Sequence, residues 1–285
     1  MKKRKYVLNY SELVTESLEN SFLIKSTLNE AIKFISNNNW INLYRGERRD
    51  SEMSPLYYNI PKEKRRARLA KKYDSIYNIW MSSDESWSEY PIRNSRCTFT
   101  TTDIKYAKSY GLVNLVIPID FDSIKYGICP DLDMFDSFQE SGIPDLHIFS
   151  DIIQEAIFSQ FGYYAETYED LLDTLNDVGE FEFRKNSTSD SFKIPKALKD
   201  FSKLDKSIKF VNYLRKLLRP ENNNFNLEYG MKNLHSLLKN NPSSNEVWFN
   251  GDSIFLSIPN EYDYGNGLNK EQTIEIINKK IIDYL

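Results

Sequence analysis

The stretch Asn245-Glu246-Val247-Trp248-Phe249-Asn250-Gly251-Asp252-Ser253-Ile254-Phe255-Leu256-Ser257-Ile258 limits what this chain can fold into more than any other. Two runs rich in β-branched and aromatic residues flank Asn250-Gly251, the dipeptide that best tolerates the positive φ angles of a two-residue type I′ turn. The pattern predicts a buried β-hairpin whose first strand opens at Glu246, directly after the polar residues 240–245. A carboxylate so placed stands at a cleft edge with packed strand beneath it. Most exposed glutamates are only solvated, so the weight given to Glu246 depends on what else the chain brings to it.

The length of 285 residues and the 40% hydrophobic content are enough for a sizeable core. With 10 Gly and 10 Pro the chain is neither fibrous nor of low complexity. A net charge of -4 argues against coating nucleic acid with the whole surface and leaves room for one basic patch. Cys97 and Cys129 are the only cysteines and His147 and His235 the only histidines, which implies no disulfide framework and no zinc-ligand cluster. Asp131, Asp133 and Asp136 lack the glycine and final glutamate of a calcium loop, so no metal is expected. The basic start Met-Lys-Lys-Arg-Lys is not followed by an apolar core and cleavage site, and no run has the ~20 apolar residues of a membrane span. A cytoplasmic location and no membrane partner are the expectation.

Apolar periodicity from Ser11 to Ile35 predicts two short helices, with a break at Lys25-Ser26 and a capping box at Thr27-Leu28-Asn29-Glu30. Trp40 to Gly46 alternates like a strand and ends by delivering Arg45 to a rim, where Gly46 would let a ligand approach the backbone. A helix over Pro61 to Ser82 carries seven Lys/Arg against two acids between Lys62 and Asp74, a solvated face or a phosphate-binding one. Ser95 to Thr102 reads as a hydroxyl-rich strand, with Asp103 capping the next helix and Gly111 stopping it. Strands follow at Leu112 to Asp120 and Ile124 to Cys129. Residues 131–241 read as a mostly helical insertion, with helices at Asp151–Phe161, Tyr168–Val178, Lys196–Arg219 and Leu227–Lys239, and a linker-like Lys185 to Ser191. A last helix is capped by Asn269. The expectation is α+β, a single domain over 1–285 with N-terminal helices in 1–39.

An arginine on a first strand, a hydroxyl-rich strand leading into a helix, and a glutamate opening a late hairpin form an ordered triplet, from residue ~40 to ~258. In this the sequence resembles the mono-ADP-ribosyltransferases of the Arg, Ser-Thr-Ser, Glu class, a toxin-like family with bacterial and bacteriophage members. Arg45 in LYRG matches the family arginine, Thr100-Thr101-Thr102 its Ser-Thr-Ser strand and Glu246 its catalytic glutamate. The resemblance implies a split antiparallel sheet and NAD as substrate. It also implies that Glu246 stabilises positive charge on the ribose, Arg45 and Gly46 hold the cofactor, and Thr100, Thr101 and Thr102 orient Glu246 and the ribose. Tyr110, Phe135 and Phe138 are candidates to stack on nicotinamide.

Two departures matter. Threonines replace serines, and Ser244 stands where arginine-modifying members carry a second glutamate. Ser244, with the basic side chains Lys64, Arg65, Arg66 and Arg68, is therefore expected to select the acceptor, which is a protein or a nucleic acid. A neutralising antitoxin or chaperone is a further implied partner. The competing readings are a non-catalytic binding module and an NAD glycohydrolase using water. No GxxxxGK[ST] or GxGxxG nucleotide loop is present.

Overall fold

The structure, a computed structural model, describes residues 10–48, 55–59, 76–93, 97–132, 134, 137–138, 146–177, 209–240, 245–259 and 267–285. The basic side chains of 62–72, as well as Ser244, Phe135, Asp133, Asp136, Gly265 and Lys185 to Ser191, lie outside the described residues.

Helix α1 (Tyr10–Asn37) is continuous. Ile24, Leu28, Ala31 and Ile35 recur every three or four residues and are all buried, so they form one stripe against the core. The expected break at Lys25-Ser26 is absent: Lys25 is exposed on the outer face, and Thr27 is buried within the helix rather than capping one. A polar pair on the outside of an amphipathic helix imitates a boundary in sequence.

The strands are β1 (Leu43–Glu47), β2 (Leu56–Asn59), β3 (Cys97–Thr101), β4 (Leu112–Pro118), β5 (Lys125–Ile128), β6 (Asn226–Tyr229), β7 (Glu246–Asn250) and β8 (Ser253–Ser257). The fold is α+β, and all eight form one antiparallel sheet in the order β2-β8-β4-β1-β3-β7-β5-β6. The other helices are α2 (Ile76–Ser83), α3 (Ile104–Ser109), α4 (Leu146–Phe161), α5 (Tyr168–Asp177), α6 (Phe210–Leu217), α7 (Gly230–Asn240) and α8 (Lys270–Tyr284).

This order overturns the predicted hairpin. β7 pairs with β3 and β5, whereas β8 pairs with β2 and β4, so the strands flanking Asn250-Gly251 do not pair with each other. Gly251 has φ +118° but Asn250 is not in the positive-φ region that a type I′ turn requires at both positions. The same residues instead carry the chain from one half of the sheet to the other. Four steps across a flat sheet would be about 19 Å, but three residues from Asn250 to Ser253 reach at most about 11 Å. The sheet must therefore fold over.

The fold line is β1/β3. Those strands pair at a single position, Tyr44 with Thr101, while β1/β4 and β3/β7 each pair over five. One hydrophobic cluster joins both halves, from Leu43, Val116 and Phe255 to Val247, Phe249 and Tyr126, beneath α1, α7 and α8. A second packs α2 and α4–α6 around Trp87 and Phe138 against Trp248.

Two strands were missed in sequence. β2 is a four-residue edge strand, and β6 lies at the start of the expected Leu227–Lys239 helix. There Gly230 makes the corner at φ +73°, and a Cβ on it would lie 2.3 Å from the Asp122 carbonyl oxygen. The mostly helical region thus contributes a strand to the sheet. Among the described residues, no helix is long and apolar enough to cross a membrane.

Candidate functional site

The three motif strands are neighbours. Tyr44, Thr101 and Glu246 form one lateral row across β1, β3 and β7, with Arg45 one residue off it. The row spans two strand spacings, roughly 10 Å. It lies on the fold line, where the strands diverge.

Glu246 begins β7 because its backbone is fixed on two sides. Its N–H donates to the Asp131 carbonyl (2.8 Å) and its carbonyl accepts from Cys129 N (2.9 Å). Before it, the buried Asn245 donates from Nδ2 to the Cys129 (2.8 Å) and Pro130 (3.0 Å) carbonyls, tying the turn after β5 to the start of β7. Asn245 Oδ1 is buried and has no hydrogen-bond partner among the described residues.

The Glu246 carboxylate is held just as firmly. Oε1 accepts from Trp248 Nε1 at 2.7 Å and Oε2 from Met134 N at 3.0 Å. Two N–H donors fix its direction. Trp248, two residues on and so on the same face of the strand, is fully buried and stacks on Phe225 with centroids 5.4 Å apart. The spacing Glu-x-Trp was visible in the sequence. The Met134 amide belongs to a turn that only the fold brings to Glu246.

The threonine hydroxyls do not orient Glu246 as expected. Thr100 Oγ1 donates to the Val247 carbonyl (2.8 Å), and Thr101 Oγ1 accepts from Asp103 N (3.1 Å). Thr102 Oγ1 accepts from Asn245 N (2.9 Å). They fasten β3 to β7 and start α3, where the Asp103 carboxylate accepts from Lys105 N and Tyr106 N. Trp248 and Met134 take the orienting role.

Arg45 reaches across the fold line. Nη1 donates to the Phe99 carbonyl (3.3 Å), Nε lies 3.5 Å from Glu47 Oε1, and the guanidinium stands 6.0 Å from the Phe255 ring centre. Tyr57, stacked on Phe255, donates to the other Glu47 oxygen. The guanidinium replaces a strand partner for Phe99 and remains partly exposed.

Gly46 has a different reason from the one expected. A Cβ there would lie 1.7 Å from the Ala107 carbonyl oxygen and 2.9 Å from Tyr110 Cβ, so the glycine admits α3 rather than a ligand. Tyr106 and Tyr110 meet edge to face beside it, their hydroxyls 2.8 Å apart, and Tyr110 is exposed. Phe138 is fully buried between Trp87 and Phe225 and is not available for stacking.

Burial pushes the Cys129 thiol well up, and its sulfur sits 2.8 Å from Ser137 Oγ, which in turn donates to Asp131 (3.0 Å). Burial also raises the Tyr44 phenol to about 12, and its oxygen accepts from Leu268 N (2.9 Å), anchoring β1 under α8. Among the described residues, no group of three His, Cys, Asp or Glu is placed to hold a metal ion. Compared with protein-family models, curated proteins and solved structures, the chain matches none.

Proposed function

We propose that this chain is a mono-ADP-ribosyltransferase that cleaves NAD between ribose and nicotinamide and transfers ADP-ribose to a macromolecular acceptor, in the manner of a toxin or phage effector. The reading is supported above all by the lateral row on β1, β3 and β7. It sets the three motif strands side by side on the line where the sheet folds.

The chemistry follows from the charges. As the bond from the ribose anomeric carbon to the nicotinamide nitrogen breaks, its electron pair leaves with nicotinamide and positive charge builds on the sugar. A carboxylate already directed by Trp248 and Met134 meets that charge without reorganising. The acceptor nucleophile then bonds the anomeric carbon and loses its proton. Arg45 presents a planar fork of donors to the diphosphate or ribose. Tyr110 offers an exposed ring near β1 for the nicotinamide. Ser244 and the basic side chains Lys64, Arg65, Arg66 and Arg68 belong to the choice of acceptor.

The test is nicotinamide release from labelled NAD with and without cell extract. Release that needs extract, with label on a macromolecule, supports transfer. Release without it identifies a glycohydrolase, and no release under either condition leaves a binding module. Protease and ribonuclease treatment of the labelled product then separates protein from nucleic-acid acceptors.

A further inference from the structure

The end of α1 meets the starts of α7 and α8 around a polar cavity of about 270 Å³. Its walls are Asn37, Asn38, Asn39, Lys232, His235, Ser236 and Lys270, with no carboxylate among them. On a chain of net charge -4 this is a concentration of cationic groups against the overall balance.

The two lysines are badly placed for their own helices. Lys232 lies in the first turn of α7 and Lys270 opens α8, where the helix dipole already carries positive charge and disfavours a cation. His235 adds a third basic group, and its imidazole is held below its ordinary 6.5, first by burial and then by Lys239. Like charges gathered at two helix starts are costly alone and are relieved by an anion.

The third wall is the C-terminal turn of α1, where two of the last carbonyls are taken by side-chain donors: Phe34 O accepts from Asn38 Nδ2 (3.2 Å) and Ser36 O from Lys270 Nζ (2.8 Å). Ser236 Oγ is likewise turned to Lys232 O (2.9 Å).

From this convergence we propose that the cavity between α1, α7 and α8 is a binding site for a phosphate group, with Lys232 and Lys270 as its cationic contacts and the His235 imidazole as a third polar contact. A volume of about 270 Å³ lies just under the ~300–1,000 Å³ usual for small-molecule pockets. It fits a phosphomonoester, a diphosphate or one stretch of nucleic-acid backbone, and not a whole dinucleotide. The site shares no lining residue with that proposed for NAD and does not depend on it.

The chain has only two histidines, so imidazole signals report on the site directly. In protein labelled at histidine, with His147→Gln used for assignment, inorganic pyrophosphate should move the His235 signal saturably and raise its titration midpoint by on the order of one unit. Lys232→Gln and Lys270→Gln should each weaken the effect about tenfold, with the fold checked by circular dichroism. Oligonucleotides of one sequence, with and without a 5′-phosphate, then give the source. A response only to the phosphorylated form indicates a phosphomonoester, and an equal response to both indicates backbone phosphates. A His235 signal that stays still at tens of millimolar pyrophosphate, or that moves equally in folded Lys232→Gln, overturns the site.

Discussion

Glu246 and Arg45 lie about two strands apart, but the structure treats them in opposite ways. Around Glu246 the backbone is bonded on both sides, Asn245 ties two carbonyls of the facing turn, and each carboxylate oxygen has an N–H donor. Around Arg45 the sheet is at its weakest, one residue pair wide, and the guanidinium holds on through a long hydrogen bond to Phe99, a loose ion pair with Glu47 and a ring face. A group that must meet charge developing in a transition state gains from being fixed beforehand. A group that grips a flexible diphosphate gains from contacts weak enough to exchange for the ligand's. Under the proposed function, the contrast assigns rate to the β7 side and affinity to the β1 side.

The largest expected effect comes from removing the fixed charge. Glu246→Gln keeps the shape and should lower the rate of nicotinamide release on the order of a thousandfold with KM little changed. An equal loss of NAD affinity by calorimetry would move Glu246 to the binding side and break the contrast. Next is Gly46→Ala, whose methyl group would have to occupy the place of the Ala107 carbonyl oxygen. Displacing α3 should cost about 3 kcal/mol of stability in urea unfolding. A loss of NAD affinity with stability unchanged would restore Gly46 to the ligand.

Arg45→Lys keeps the charge but loses the fork, and should weaken NAD binding by roughly 2 kcal/mol with a smaller effect on the bound rate. Trp248→Phe keeps the buried ring but removes the donor to Glu246 Oε1. A rate loss of about tenfold with KM unchanged is expected, and a change in KM alone would separate Trp248 from the carboxylate's role.

These outcomes also mark how far the sequence could be read. The strand arginine, the β3 strand, the Asp103 cap and the start of β7 at Glu246 were legible because each is signalled by a few adjacent residues. The partners of those strands were not. Asn250-Gly251 has the local chemistry of a tight hairpin, but both flanking strands are almost wholly buried and each has two other neighbours, so tertiary pairing decides the turn. The same holds for Gly46, where a glycine at a strand end admits a helix from sixty residues away in the chain. The Met134 amide on Glu246 carries no residue signature at all, since any amino acid but proline supplies it.

The smallest effect concerns the helical layer behind Trp248. Burial would raise the Asp84 carboxyl, but the Ser86 hydroxyl, the Tyr168 hydroxyl (2.6 Å), the Ser86 amide and Arg215 outweigh it and hold it below its ordinary 3.8. A lowered folded value means that this stabilisation is complete above the unfolded pKa and is lost as pH falls through the folded one. Asp84→Asn should therefore flatten the fall of stability below about pH 4 while leaving nicotinamide release at neutral pH unchanged.

The most direct measurement is nicotinamide release from NAD by wild-type protein and Glu246→Gln side by side, with NAD binding measured on both. Release by the wild type, nearly abolished in a folded Glu246→Gln that still binds NAD, is the result predicted by a preset carboxylate on the fold line. Binding without release by the wild type in the presence of cell extract, or release by Glu246→Gln at the wild-type rate, would contradict it.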